Sequence, residues 1–175
     1  RFIAGLMHHA PEITLVTNQW VNSYKRLVPG HEAPVYIAWS HVNRFDLVRV
    51  PPYKPGYESS VRVEYRAPDP ACNPYLAFSV MLAAGLKGIQ EEYPLPAPVV
   101  GSVHEMSAQR RQSLNIRSLP RSLGEAIALA ERSELLQETL GDHTFNSLIR
   151  NKEIEWEEYR STVTDYEIAR YLPLL

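Results

Sequence analysis

Arg26, Glu32, Arg44, Arg49, Glu64 and Arg66 lie within one short stretch of the chain, and chemistry is to be sought among them. A guanidinium is a planar fork of N–H donors that matches the paired oxygens of a carboxylate or phosphate. Arginines on or beside buried strands are costly unless they meet anions. Several such forks with glutamate among them suit a phosphorylated or carboxylated ligand together with a divalent cation. Composition alone leaves a plainer reading open, since surface salt bridges would produce similar counts.

The elements that position these groups differ along the chain. Pro34-Val-Tyr-Ile-Ala-Trp39 is β-branched and aromatic and reads as a buried strand, and Leu47-Val-Arg-Val50 continues that character after a turn at Asn43. Pro51-Pro-Tyr-Lys-Pro-Gly56 must be a loop, because its prolines deny both ladder donors and helix. In Val61-Arg-Val-Glu-Tyr-Arg66 the alternation predicts a strand with Val61, Val63 and Tyr65 on one face. Arg62, Glu64 and Arg66 then stand on the other, roughly 7 Å apart at two residues per repeat.

Beyond residue 72 the pattern is helical. Asn73-Pro74 is a good helix start, and the segment to about Tyr93 is apolar nearly all round, which predicts a core helix ended by Pro94, Pro96 and Pro98. Ser122-x-x-Glu125 and Thr164-x-x-Glu167 are capping boxes. Between them, Phe145, Leu148, Ile149, Trp156, Tyr159 and Val163 approximate helical spacing. The expected class is α+β. Residues 1–72 form a strand-and-loop part with short helices and an antiparallel sheet, and residues 73–175 form a mainly helical half.

A net charge of −2 gives no electrostatic reason to expect nucleic acid. The longest apolar run, around Tyr75 to Leu86, is too short to span a membrane. A single cysteine, Cys72, excludes an intrachain disulfide and suits a reducing cytoplasm. Arg1-Phe-Ile-Ala-Gly-Leu-Met7 reads like a helix entered in the middle, without an N-cap residue, so an upstream helix and sheet are expected to be missing.

Asn22-Ser-Tyr-Lys-Arg-Leu-Val-Pro-Gly30, Glu32-Ala-Pro-Val-Tyr36, Trp39-Ser40, Asn43-Arg44, Val63-Glu-Tyr-Arg66, Pro68-Asp-Pro70 and Asn73-Pro-Tyr-Leu76 together resemble the glutamine synthetase family in order and in nearly all spacings. The resemblance covers essentially the whole chain, as the last two-fifths or so of a family member, with the N-terminal domain and upstream catalytic half absent. It implies ATP-dependent ligation of ammonia to L-glutamate through a γ-glutamyl phosphate, with Mg²⁺ or Mn²⁺. Arg26 would bind glutamate and the transferred phosphoryl, Arg44 glutamate and ATP phosphates, Arg49 ATP, and Arg66 the glutamate carboxylate. Glu64 would be a metal ligand, and Glu32 would sit on a flap that shields the acyl phosphate and helps form the ammonium site. Glu32 and Arg44 would be the catalytic pair. The resemblance also implies a cytoplasmic homo-oligomer, a dodecamer of two stacked rings joined through its C-terminal helices.

Two departures stand out. A tyrosine that some family members adenylylate corresponds here to His104, so that control is expected to be absent. A lysine that often contacts nucleotide corresponds to the region of Ser59, after a loop about two residues longer. Elsewhere, bland readings prevail: adjacent His8 and His9 point about 100° apart on a helix and suit packing better than a shared metal. Cys72 reads as a small buried hydrophobe and His31 as a solvated loop residue, while Trp156 and Tyr159 fit either core or a neighbouring subunit. A γ-glutamyl-amine or polyamine ligase is the nearest rival function. A non-catalytic structural relative is the more distant one, against which the retained arginines and glutamates argue.

Overall fold

The computed structural model describes residues 1–31 and 33–174. Its first helix, α1 (Phe2–Thr17), runs through Pro11 and buries residues on almost every side, among them Leu6, Ala10, Ile13, Leu15 and Val16. Pro11 has no N–H to offer the carbonyl four residues back. Arg117 supplies the replacement, its Nη2 donating to Met7 O at 3.5 Å and His8 O at 3.2 Å. A short α2 (Val21–Arg26) follows. A 16-residue helix thus opens the part expected to hold only short ones.

Three strands form a small sheet in the order β1 (Trp39–Ser40), β2 (Val48–Arg49), β3 (Glu64–Tyr65). The expectation of an antiparallel sheet is corrected in part: β1 pairs parallel with β2, and only β2 and β3 are antiparallel. Pairing is also shorter than the predicted runs. Pro34, Pro51 and Pro52 remove donors at their ends, and residues 35–37 turn instead to 117–119, with Ile37 N donating to Arg117 O at 2.8 Å and Leu119 N to Val35 O at 2.8 Å. The apolar face assigned to the third run is covered only at Tyr65, which packs against the core, while Val61 and Val63 are exposed.

Helix α3 (Pro74–Gln90) starts as its sequence predicts: Asn73 Oδ1 accepts from Tyr75 N at 3.0 Å and Leu76 N at 3.3 Å. It ends three residues before Tyr93. Glu92 adopts a left-handed φ of 55°, and Tyr93 N closes onto Gly88 O at 3.0 Å, a Schellman-type stop. Where α1 crosses α3, Gly5 and Gly88 touch backbone to backbone. Only one face of α3 is core, with Ala77, Val80 and Ala84 buried; Tyr75, Phe78, Leu82, Leu86 and Ile89 form an exposed stripe. An apolar circumference is more than α1 and the later helices cover.

The remaining helices are α4 (Ala108–Ser113), α5 (Leu123–Ala130), α6 (Glu134–Ser161, kinked at Gly141) and α7 (Asp165–Tyr171). Leu123, Leu136, Phe145 and Ile149 join Ile13, Leu47, Val48 and Val80 in one core. Trp156 packs across Gly124, where a side chain would collide with the indole. Among the described residues, no helix is long and apolar enough to cross a membrane.

Candidate active site

The segment from Glu64 to Ala71 is held from behind by the end of α1 and by α2. Asn18 Nδ2 donates to Ala67 O at 2.9 Å, and Asp69 N donates to Thr17 O at 3.1 Å. The Asp69 carboxylate, almost fully buried, accepts from the Ser23 hydroxyl and from Ala71 N at 2.9 Å. Arg26, in the last turn of α2, then spans the same backbone, with Nη1 on Ala67 O at 3.0 Å and Nη2 on Arg66 O at 3.3 Å. Arg66 in turn reaches sideways, its Nε donating to Arg44 O at 2.7 Å. Arg26, Arg66 and the Arg44 loop are therefore one connected unit, in which Arg44 leaves its own side chain exposed.

Glu64 and Arg49 face each other across the β2–β3 pair, and Arg49 Nη1 meets Glu64 Oε2 at 3.1 Å. Arg62 Nε lies 3.4 Å from Glu64 Oε1, and Arg66 Nη1 lies 3.9 Å from Oε2. One carboxylate thus stands among three guanidiniums. These carry a surplus of two positive charges, and the Arg26 guanidinium, on the Arg66 and Ala67 carbonyls, adds to it nearby. The Arg49 Nε–H is buried without a partner among the described residues, an unspent donor beside the cluster. Arrays of this kind bind anions, because a guanidinium already stripped of water gains most from a charged acceptor.

The structure therefore brings together five of the six predicted residues, Arg26, Arg44, Arg49, Glu64 and Arg66. Glu32 lies outside the described residues. Arg62, on the face the alternation predicts for Glu64 and Arg66, joins the cluster as well. Asn18, Ser23 and Asp69 are supports that sequence reading missed; only the Pro-Asp-Pro spelling around Asp69 hinted at a fixed backbone.

Neighbouring ionisable groups are tuned by burial. It pushes the Tyr65 phenol up, and also that of Tyr24, where the charges of Asp69 and Glu155 add to the effect. Burial likewise raises Asp46 above the usual carboxylate range, against the pull of Ser40 and His104. His104 faces inward, edge-on to Tyr36 and Phe45 at ring separations of 5.5 and 5.4 Å. His9 is buried, paired through Nδ1 with Glu12, and its partner His8 packs against Tyr93 with ring centres 4.5 Å apart, in line with the packing reading. Burial and the charge of Asp69 push the Cys72 thiol up, which favours its inert form.

Comparison with known proteins then decides the family. The family described as glutamine synthetase, catalytic domain, matches residues 1–171. The chain belongs to the glutamine synthetase family. Glutamine synthetases from Mycolicibacterium smegmatis and Mycobacterium tuberculosis are 54% and 53% identical over 99% of this chain, and one from Thermotoga maritima is 46% identical over the same share. In each case the chain spans 39% of the relative's length. A solved structure described as a GmaS–ADP complex superposes with a TM-score of 0.79 at 32% identity, over 98% of this chain and 39% of that one.

A divalent ion of the kind the family uses prefers hard oxygen ligands. Glu64 offers two such oxygens beside the arginine cluster, so its chemistry fits. No group of three His, Cys, Asp or Glu capable of holding a metal occurs among the described residues, so Glu64 could hold such an ion only together with ligands from elsewhere.

Proposed function

We propose that this chain forms the carboxy-terminal part of the active site of a glutamate–ammonia ligase. The γ-phosphoryl of ATP passes to the γ-carboxylate of L-glutamate, releasing ADP. Ammonia then attacks the acyl carbon, phosphate leaves, and glutamine remains. The observation that carries this reading is the cluster of Arg49, Arg62 and Arg66 around Glu64, within a chain of this family.

Transfer of a phosphoryl group requires little covalent help from protein; it requires alignment and spread-out positive charge. Arg66 binds the glutamate carboxylate, and its Nε bond to the Arg44 carbonyl ties substrate binding to the loop that aims Arg44 at the phosphates. Arg49 holds ATP, with its Nε–H, unpartnered among the described residues, as a further donor. Arg26 contacts glutamate and the transferred phosphoryl from α2, while Glu32 covers the acyl phosphate against water. Glu64 holds the divalent ion, which supplies charge neutralisation to the transferring phosphoryl when bound. The exposed apolar residues of α7, Tyr166, Ile168 and Tyr171, suit assembly into a homo-oligomer.

The test is ADP release by the full-length protein with ATP, Mg²⁺ and glutamate, comparing ammonia with a panel of amines. Ammonia-dependent turnover supports the reading. Turnover only with another amine reassigns the protein to the γ-glutamyl-amine ligases, and none with any amine overturns catalysis.

A further inference from the structure

A second cavity lies away from the arginine cluster, and none of Arg26, Arg44, Arg49, Arg62, Glu64 or Arg66 lines it. Its volume is about 640 Å³, within the range of roughly 300–1,000 Å³ that small-molecule pockets occupy. One wall is α1, through Ala4 and Met7; another is the run from Tyr93 to Val100. That run is pinned rather than loose. Trp39 Nε1 donates to Pro96 O at 2.8 Å, and Val99 N donates to Trp39 O at 2.9 Å. The two non-glycine residues with left-handed φ among those described, Glu92 and Asn115, precede and line this cavity, each at 55°. Such conformations persist where surrounding structure over-determines them.

The walls are mainly apolar, but the charge at the rim has one sign. Arg110 and Arg117 line the cavity. A smaller recess of about 340 Å³ shares Asn115, Ile116 and Arg117 with it and adds Arg111 and Arg121. Among the described residues, no Asp or Glu lines either space. Arg111 and Arg117 spend donors on the carbonyls of Met106 and Val103 and of Met7 and His8. Arg110 is exposed and makes no ion pair among the described residues, which leaves its guanidinium for a ligand. His8, at the apolar end, is held below the ordinary histidine value by burial and by the charges of His9 and Arg117, so it adds a neutral polar edge there.

We infer that this cavity is a binding site for an amphipathic organic anion, an aromatic or aliphatic body seated between Trp39, Tyr93 and Met7 with its carboxylate, sulfonate or phosphate on Arg110. An uncharged apolar ligand would leave the arginine rim without a counterpart. A small inorganic anion would leave most of the volume empty. The inference does not depend on which reaction the arginine cluster performs.

The probe is 8-anilinonaphthalene-1-sulfonate, titrated by fluorescence into the full-length protein with and without saturating ATP, Mg²⁺ and glutamate. Ala97→Trp fills the cavity from its exposed rim, and Arg110→Glu reverses the anion contact; both positions are on the surface and neither belongs to the catalytic cluster. Expected are saturable one-to-one binding that survives the substrates, an affinity at least tenfold weaker in each variant, and unchanged ligase activity without probe. Binding of equal strength in wild type and both variants overturns the assignment, as does displacement by the substrates. Absence of saturable binding also overturns it, because the space is then filled by other parts of the full-length protein.

Discussion

Replacing Gly88 by alanine pits two opposed effects against each other at the crossing of α1 and α3. Alanine in a helix interior is favoured over glycine by about 1 kcal/mol. A Cβ at Gly88, however, would stand 2.5 Å from both Cα and N of Gly5 and 2.6 Å from the Arg1 carbonyl oxygen. Ordinary contact begins near 3.4 Å, so the helices must part by about 0.9 Å. All three neighbours are backbone atoms and cannot rotate away. Overpacking of this kind costs about 1–3 kcal/mol, and rigid neighbours put Gly88 at the upper end. The net loss is about 1–2 kcal/mol, a fall in Tm of roughly 2–8 °C for a protein of this size. Gly85→Ala is the internal comparison. Its new Cβ meets the Phe2 ring, a side chain that can swing, so it is expected to cost less than Gly88→Ala. Thermal unfolding followed by circular dichroism reads both. A Gly88→Ala protein as stable as wild type, or less perturbed than Gly85→Ala, would refute the close-contact reasoning.

Asp69→Ala removes the acceptor for Ser23 and for Ala71 N in a nearly solvent-free position, so a loss of about 2–3 kcal/mol is expected; urea unfolding measures it, and Asp69→Asn should recover part. Arg66→Ala in the full-length protein should lower kcat/KM for glutamate by roughly 10- to 150-fold, from about 1.5–3 kcal/mol for a charge-assisted contact. An unchanged response to glutamate concentration contradicts its assigned role. Burial tends to raise the Glu12 carboxyl, but hydrogen bonds from His9 and Ser133 outweigh it and hold the group below its ordinary value of 4.5. A carboxyl with a depressed folded-state value contributes stability that is present above 4.5 and lost as pH falls through the lower value. Urea midpoints from pH 6 to 3 should show a shallower acid limb in Glu12→Gln than in wild type.

Features set by neighbours in sequence were the readable ones. Asn73 ahead of Pro74 marked the start of α3, and Thr164 with Glu167 formed the reciprocal box expected of it. Ser122 caps α5, but Glu125 turns to Arg121 N rather than back to Ser122, a detail that spacing does not specify. Helix α1 was harder, because Pro11 argues against a continuous helix unless a distant group rescues the stranded carbonyl. The residue types of the site were legible, and its geometry was not. Arg49 meets Glu64 through the register of β2 on β3, and no local pattern encodes which residue of one strand faces which of another. The parallel pairing of β1 with β2, seven residues apart in sequence, was likewise invisible in alternation. The exposed stripe of α3 shows the limit of periodicity, which says that a face is apolar but not what covers it.

The clamp of Arg117 on α1 has a consequence for synthesis. The carbonyl left open by Pro11 waits for a residue 110 positions beyond Met7. At ribosomal speeds of about 5–20 residues per second, roughly 5–20 s pass before that partner exists. Through that interval the turn of α1 before Pro11 keeps an open carbonyl, and α1 is completed only as the chain approaches α5.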